Sequence, residues 1–197
     1  MGDRGFTYIL RVVTLLTLYH ISMSTTRVER RRFVDEHNKY RTMLMAGKVS
    51  GQPRASSMKM LTWDEELARK AQFLANKCQV GHDTLTERQT KEFHWVGQNW
   101  AGTFNVFENC DLFVHYHFLT STVRLWFEEH RHYSFEKNSC KPGRMCGHYT
   151  QVVWASTRKV GCGYRKCPGR AFPYGYSVVC NYGPGGNFLG AKPYRRA

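Results

Sequence analysis

The chemistry open to this chain lies in its cysteines and histidines. The seven cysteines are Cys78, Cys110, Cys140, Cys146, Cys162, Cys167 and Cys180. Six of them could close three bridges, with one left over, and in an exported chain that pattern reads as a disulfide framework. A zinc module is the competing reading, but no CxxC pair supports it. The histidines form no local ligand motif. His115 and His117 are two apart on a predicted helix and point to different sides, so they do not converge on one ion, and the same holds for His130 and His132. There is no GxSxG elbow, no HExxH zinc helix and no P-loop.

The compartment that would oxidise these cysteines is set by the first residues. Arg4 precedes an apolar run over residues 8–21, and small residues follow at Ser22 and Ser24. The run is interrupted by Arg11 and is short for a membrane span. Residues 1–24 are therefore expected to be a cleaved signal peptide, with a retained signal anchor as the alternative. Residues 25–197 remain as one domain, long enough to bury a sizeable core. The predicted location is extracellular.

Charge narrows the partners. The chain carries a formal charge of +14, and loss of Arg4, Arg11 and Asp3 with the leader takes it to +13. Basic residues cluster at 27–32, 165–170 and 192–196. Such a domain is drawn to anionic surfaces such as phospholipid headgroups or sulfated glycans. Export and the lack of a zinc-finger or RNA-binding signature exclude nucleic acid as the natural partner. A merely solvated charged face is the alternative.

The elements that would position these residues follow from periodicity. Over residues 27–46, Phe33, His37, Tyr40 and Leu44 share one helical stripe. After a polar connector at 47–57, Thr62 and Glu65 have capping-box spacing, and Leu67, Ala71, Leu74 and Cys78 follow on one face. Residues 94–100 read as a strand. Residues 111–133 read as the longest helix, with Leu112, Tyr116, Leu119, Val123, Trp126 and His130 on one side. Glycine punctuation then separates paired strands at 159–166 and 176–182. Helices and strands without regular βαβ alternation predict an α+β layered domain.

Several segments carry a resemblance. They are HNKYR at 37–41, WDEELARKA at 63–71, GQNWAG at 97–102, GHYTQVVWAST at 147–157 and CNYGPGGNF at 180–188. Together they resemble the superfamily of cysteine-rich secretory, antigen-five and pathogenesis-related proteins over about residues 30–194. One departure is Ser177, where the last signature usually begins with an apolar or aromatic residue. The resemblance implies a three-layer α-β-α sandwich of the CAP/SCP type, stapled by disulfides. It is similar to single-domain members such as the helminth venom-allergen-like and glioma-pathogenesis-related proteins.

The resemblance also implies the cysteine pairing: Cys78 with Cys167, Cys140 with Cys146, and Cys162 with Cys180, leaving Cys110 unpaired. It places a central-cleft tetrad on His82, Gln98, Glu129 and His148. Two imidazoles can offer lone pairs to a borderline metal, with Glu129 as orienting base or third ligand. Gln98 stands where many relatives carry glutamate, and a neutral amide is a poorer zinc ligand and no base. No cofactor is required on this reading, and any zinc held by His82 and His148 is weak and lost as they protonate. A satisfied polar network is the competing role for the same residues. A serine hydrolase built from Ser134 or Ser156 with the tetrad has no positional support in the sequence.

Relatives bind sterols near a surface loop, and some hold a fatty acid between helices. Phe93, Trp95 and Trp100 have the aromatic spacing of the caveolin-type motif invoked for sterol binding, although core packing is the preferred reading for them. The leading expectation is thus a secreted, non-enzymatic protein that binds and sequesters lipids or sterols in apolar clefts. The alternative is an extracellular effector that binds a host protein or sulfated glycan through its basic surface. A metal-assisted or serine hydrolase ranks third.

Overall fold

A computed structural model of the chain describes residues 25–104, 112–169 and 171–197, with the side chains of residues 112–118 left out of the description. The expected leader at 1–24 and Cys110 lie outside the described residues. In chain order the elements are helix α1 (Arg27–Met45), strand β1 (Thr62–Trp63), helix α2 (Glu65–Asn76), the one-turn helix α3 (Leu85–Arg88) and strand β2 (Gly97–Thr103). Helix α4 (Leu112–Glu128) continues into a 3-10 turn (Glu129–His132). Strands β3 (Tyr133–Ser134) and β4 (Ser139–Cys140), helix α5 (Gly147–Val152), and strands β5 (Lys159–Lys166) and β6 (Tyr176–Gly183) complete the chain.

Among the described residues the main sheet runs β1-β5-β6-β2, with β1 parallel to β5 and the other pairs antiparallel. Alternation along β5 divides its two faces. Val160 and Cys162 join the large core with Val178, Cys180 and Tyr182 of β6 and the buried faces of α1, α4 and α5. Gly161 and Gly163 face α2, and both must be glycine. A Cβ at Gly161 would lie 2.2 Å from the Ala68 nitrogen, and one at Gly163 would lie 2.5 Å from the Gln72 Cα. The backbone of α2 therefore rests directly on the strand, sealed by Ala71, Leu74 and Ala75 over Val179. Helix α2 on one face and α1, α4 and α5 on the other make the three-layer α-β-α sandwich.

The stripe on α1 is buried throughout: Phe33, His37, Tyr40 and Leu44 are all inaccessible or nearly so. Thr26 and Glu29 close a capping box at its start. Two expectations need correction on α2. Thr62 is not its cap, because residues 62 and 63 pair with Lys159 and Val160 as β1. Asp64 caps instead, its Oδ1 accepting the Glu66 and Leu67 amides at 3.0 and 2.9 Å. Nor does Cys78 share the helical face. The helix ends at Asn76, and Cys78 follows it in the left-handed region at φ 48°.

Elsewhere β2 begins at Gly97 and the expected long helix ends at Glu128. Of its predicted stripe, Leu119, Val123 and Trp126 are buried. His130 sits in the 3-10 turn, where burial lowers its pKa.

Among the described residues three disulfides join Cys78 to Cys167, Cys140 to Cys146 and Cys162 to Cys180. The last spans residues directly opposite in the β5–β6 ladder. Arg41 is fully buried on α1 and donates to the carbonyls of Lys59, Val152, Trp154, Ala155 and Thr157. One guanidinium thus fastens the segment before β1 to the stretch between α5 and β5. Among the described residues no helix is long and apolar enough to cross a membrane.

Candidate functional site

The predicted tetrad is arranged about β2, an edge strand of the sheet. Gln98 stands opposite Asn181 and Asn99 opposite Cys180. Successive strand residues point to opposite faces, so these neighbours reach to different sides. On the α2 side, Gln98 Oε1 lies 2.8 Å from His82 Nδ1, while its Nε2 donates to Asn181 Oδ1 at 2.9 Å and Asp83 Oδ1 at 3.0 Å. On the other side, Asn99 Nδ2 donates to the His148 carbonyl at 3.1 Å and the Tyr182 hydroxyl at 3.2 Å. Gln98 thus reaches the His82 ring from one face of the edge strand, and Asn99 reaches the His148 backbone from the other.

Each histidine has its own acceptor. His148 Nδ1 lies 2.6 Å from Glu129 Oε1, and Glu129 Oε2 accepts the backbone amides of His148 and Tyr149 at 3.1 and 3.2 Å. The Trp126 indole stacks on the His148 ring at 6.0 Å. The His148 and Glu129 side chains are each about one-seventh exposed, at 16% and 14%. The carboxylate is thus an orienting acceptor, fully engaged, and not a third ligand. The tetrad falls into two couples, His82–Gln98 and His148–Glu129, with no hydrogen bond between the couples among the described residues.

With both Nδ1 atoms committed, Nε2 is the nitrogen each ring could offer a metal. Among the described residues no three of His, Cys, Asp or Glu converge to hold one. Two imidazoles fall short of the three protein ligands of a catalytic zinc site. Such a donor pair suits weak, exchangeable zinc rather than a tightly held ion.

The residues that hold Gln98 beside His82 are Asp83 and Asn181, neither of them singled out from the sequence. Asp83, whose side chain is 2% exposed, receives Gln98 and Arg88 Nη1, the latter at 2.9 Å. Asn181 fastens the couple to α2 by donating to the Leu67 carbonyl. Asn99 and Asn181 lie inside two of the quoted motifs, which was the signal for them. Asp83 had none beyond adjacency to His82. As for the serines, Ser134 Oγ accepts from the Lys137 amide, and among the described residues no serine hydroxyl bonds to either imidazole.

The three aromatics of the sterol motif have different surroundings. Phe93 is buried with Leu67 and Val96. Trp100 packs edge-on against Phe172 and Tyr174, and its Nε1 donates to Ser177 Oγ at 3.1 Å. That bond accounts for the polar residue at position 177, which is fully buried. Trp95 is 43% exposed and stacks on Phe188 at 5.6 Å. They do not form one apolar surface, and of the three Trp95 touches the feature described next.

A groove of about 1150 Å³ opens among residues 56–59, 135–136, 154–158, 188 and 192–196. The first, third and last segments are stitched together by backbone bonds: Ser56 to Arg195, Ala155 to Pro193, and Lys59 to Ala155. Its floor is apolar, with Met58, Phe135, Trp154, Phe188 and Tyr194, and its rim is basic, with Lys59, Arg158, Lys192, Arg195 and Arg196. None of the tetrad lines it.

The family model described as CAP, the cysteine-rich secretory protein family, matches residues 34–182. The chain belongs to the CAP family. This CAP protein is 39% identical to a salivary antigen-5 of Dipetalogaster maximus, over 88% of this chain and 68% of the relative. It is 35% identical to GLIPR1-like protein 1 of Bos taurus, over 83% of this chain and 63% of that protein. The chain thus spans slightly less than two thirds of the bovine relative. Among solved structures, venom allergen-like protein 4 of Schistosoma mansoni matches with a TM-score of 0.70 and 29% identity, covering 88% of this chain and 97% of that one. NaASP2, solved with Zn2+, matches with a TM-score of 0.69 and 27% identity, covering 88% of each chain.

Proposed function

We propose that this CAP protein is a secreted, non-enzymatic carrier that binds and sequesters a lipid or sterol in the groove floored by Phe135, Trp154, Phe188 and Tyr194. The observation that carries the reading is that floor: an aromatic surface beside a cavity of about 1150 Å³, away from every titratable couple of the tetrad. Ligand sites are concave, mostly apolar and few per protein. Burying roughly 400 Å² of acyl or sterol surface supplies about 10 kcal/mol, and after an association cost of about 4 kcal/mol the remainder gives binding in the tens of micromolar without any chemical step. The tetrad on this reading is a polar framework that holds the edge strand and α5 in place. Three disulfides support an oxidising, extracellular setting.

A second reading, an effector acting through its basic surface, is supported by the charge of +14 and by the basic rim. The two separate by experiment. Protein from a eukaryotic secretion host is delipidated, refilled with radiolabelled cholesterol or oleate, and examined by native mass spectrometry. Saturable uptake that survives His82→Ala with His148→Ala, and survives high salt, is the expected result. No saturable uptake of either compound removes the carrier reading and leaves the effector in first place.

A further inference from the structure

The groove is not uniformly apolar, and its charges are not balanced. Five cations line it against one carboxylate, Glu136. Glu136 reaches Arg196 at 3.0 Å and Lys192 at 4.0 Å. Arg158 is paired with Glu92 at 2.8 Å. Lys59 and Arg195 have no acidic partner among the described residues, and both side chains are exposed. Unpaired cations beside an aromatic floor suit a ligand with a charged end and an apolar end. A sterol hydroxyl neutralises nothing, whereas a phosphomonoester carries close to two negative charges and matches the guanidinium fork.

Resting on the carrier reading, we infer that the occupant of this groove is a single-tailed phospholipid with a phosphomonoester head, of the lysophosphatidate class. The head lies between Lys59 and Arg195, where the hydroxyls of Ser57 and Ser156 also line the groove. The tail lies across Met58 and Trp154 toward Phe188, which is 49% exposed and stands beside the fully exposed Leu189. That exposed end is the entry. The frame beneath the head is rigid, because Lys59 and Arg195 both take part in the backbone bonds that stitch the segments together. Their side chains are thus replaceable without disturbing those bonds.

The test is calorimetric titration below micelle concentration, with oleoyl lysophosphatidate, oleoyl lysophosphatidylcholine, oleate and glycerol 3-phosphate. The proteins are wild type, Lys59→Gln with Arg195→Gln, and Phe188→Ser, each checked for native circular dichroism. Wild type is expected to favour lysophosphatidate over the choline ester by about tenfold or more, which corresponds to two charge-assisted contacts. The double variant should lose that preference while its affinity for the choline ester stays constant. Phe188→Ser should weaken both lysolipids, and glycerol 3-phosphate should not compete with them. Equal affinity for the two lysolipids in wild type overturns the inference, as does a preference that survives in the double variant. Oleate bound as tightly as lysophosphatidate overturns the phosphomonoester assignment, and full binding of glycerol 3-phosphate overturns the amphiphile. In each of these cases the carrier reading stands. Only failure of every lipid, cholesterol included, sinks the carrier reading itself.

Discussion

His37 Nε2 lies 2.8 Å from the Tyr182 hydroxyl, deep between α1 and β6. The other ring nitrogen lies 2.7 Å from the Phe33 carbonyl, which can only accept, so Nδ1 carries the proton and Nε2 accepts from the tyrosine. Tyr182 in turn accepts from Asn99, whose amide also reaches the His148 carbonyl. A single line of hydrogen bonds thus runs from HNKYR through CNYGP and GQN to the cleft. Motifs far apart in sequence are one buried structure.

That line sets a pH dependence. Burial pulls His37 from its ordinary 6.5 down to about 4. Between those values the unfolded chain takes a proton that the folded one refuses. Stability is therefore complete above about pH 6.5, declines as pH falls, and levels off below about 4, with a total loss of about 3 kcal/mol. His130, lowered by burial, acts in the same direction. Denaturant unfolding at pH 7 and pH 4 measures the slope. His37→Gln should be less stable at neutral pH yet show a smaller decline over this interval, and an unchanged decline would remove His37 as its source.

Arg41 offers a sharper test of the core. Burial lowers its pKa to about 9, so it remains charged at neutral pH, solvated by five carbonyls in place of water. Arg41→Met would orphan those acceptors, at about 1–3 kcal/mol for each that finds no water, so a loss on the order of 4 kcal/mol or more is expected. Arg41→Lys should recover only part of it, since an ammonium cannot reach a fan of carbonyls. Full recovery by lysine, measured by chemical unfolding, would show that charge alone matters there.

Gln98 offers a test of the cleft. Its amide nitrogen donates to the carboxylate of Asp83, so Gln98→Glu sets two carboxylates face to face and should lower stability by about 1–3 kcal/mol at neutral pH. The same change supplies the third metal ligand that two imidazoles lack. Thermal unfolding with and without zinc should therefore show a larger zinc-induced rise in Gln98→Glu than in wild type, and none in His148→Ala. An identical response in all three proteins would take the tetrad out of consideration as a metal site.

How much of this was legible before folding depended on range. The strand over residues 159–166 could be read to the residue because its glycines and flanking turns are local signals. The α1 stripe could be read because Phe33, His37, Tyr40 and Leu44 repeat at the helical period. The α2 cap could not. Thr62 and Glu65 have the right spacing, but Thr62 is claimed by a strand whose partner, Lys159, lies about a hundred residues on. A local pattern lost to a distant pairing.

The candidate site divides in the same way. Sequence by itself determined the family and the excess of positive charge, and the resemblance pointed to the tetrad residues, because motif, identity and count survive without coordinates. Only the tertiary structure decided that Glu129 is spent on His148, that Gln98 is spent on His82, Asp83 and Asn181, and that Phe93, Trp95 and Trp100 part company. It alone assembled the groove, whose walls come from residues 56–59, 154–158 and 192–196. Each of these segments taken alone is an unremarkable loop. They become one surface because Arg41 and a few backbone bonds between loops draw them together, and such bonds carry no mark in the side chains they join.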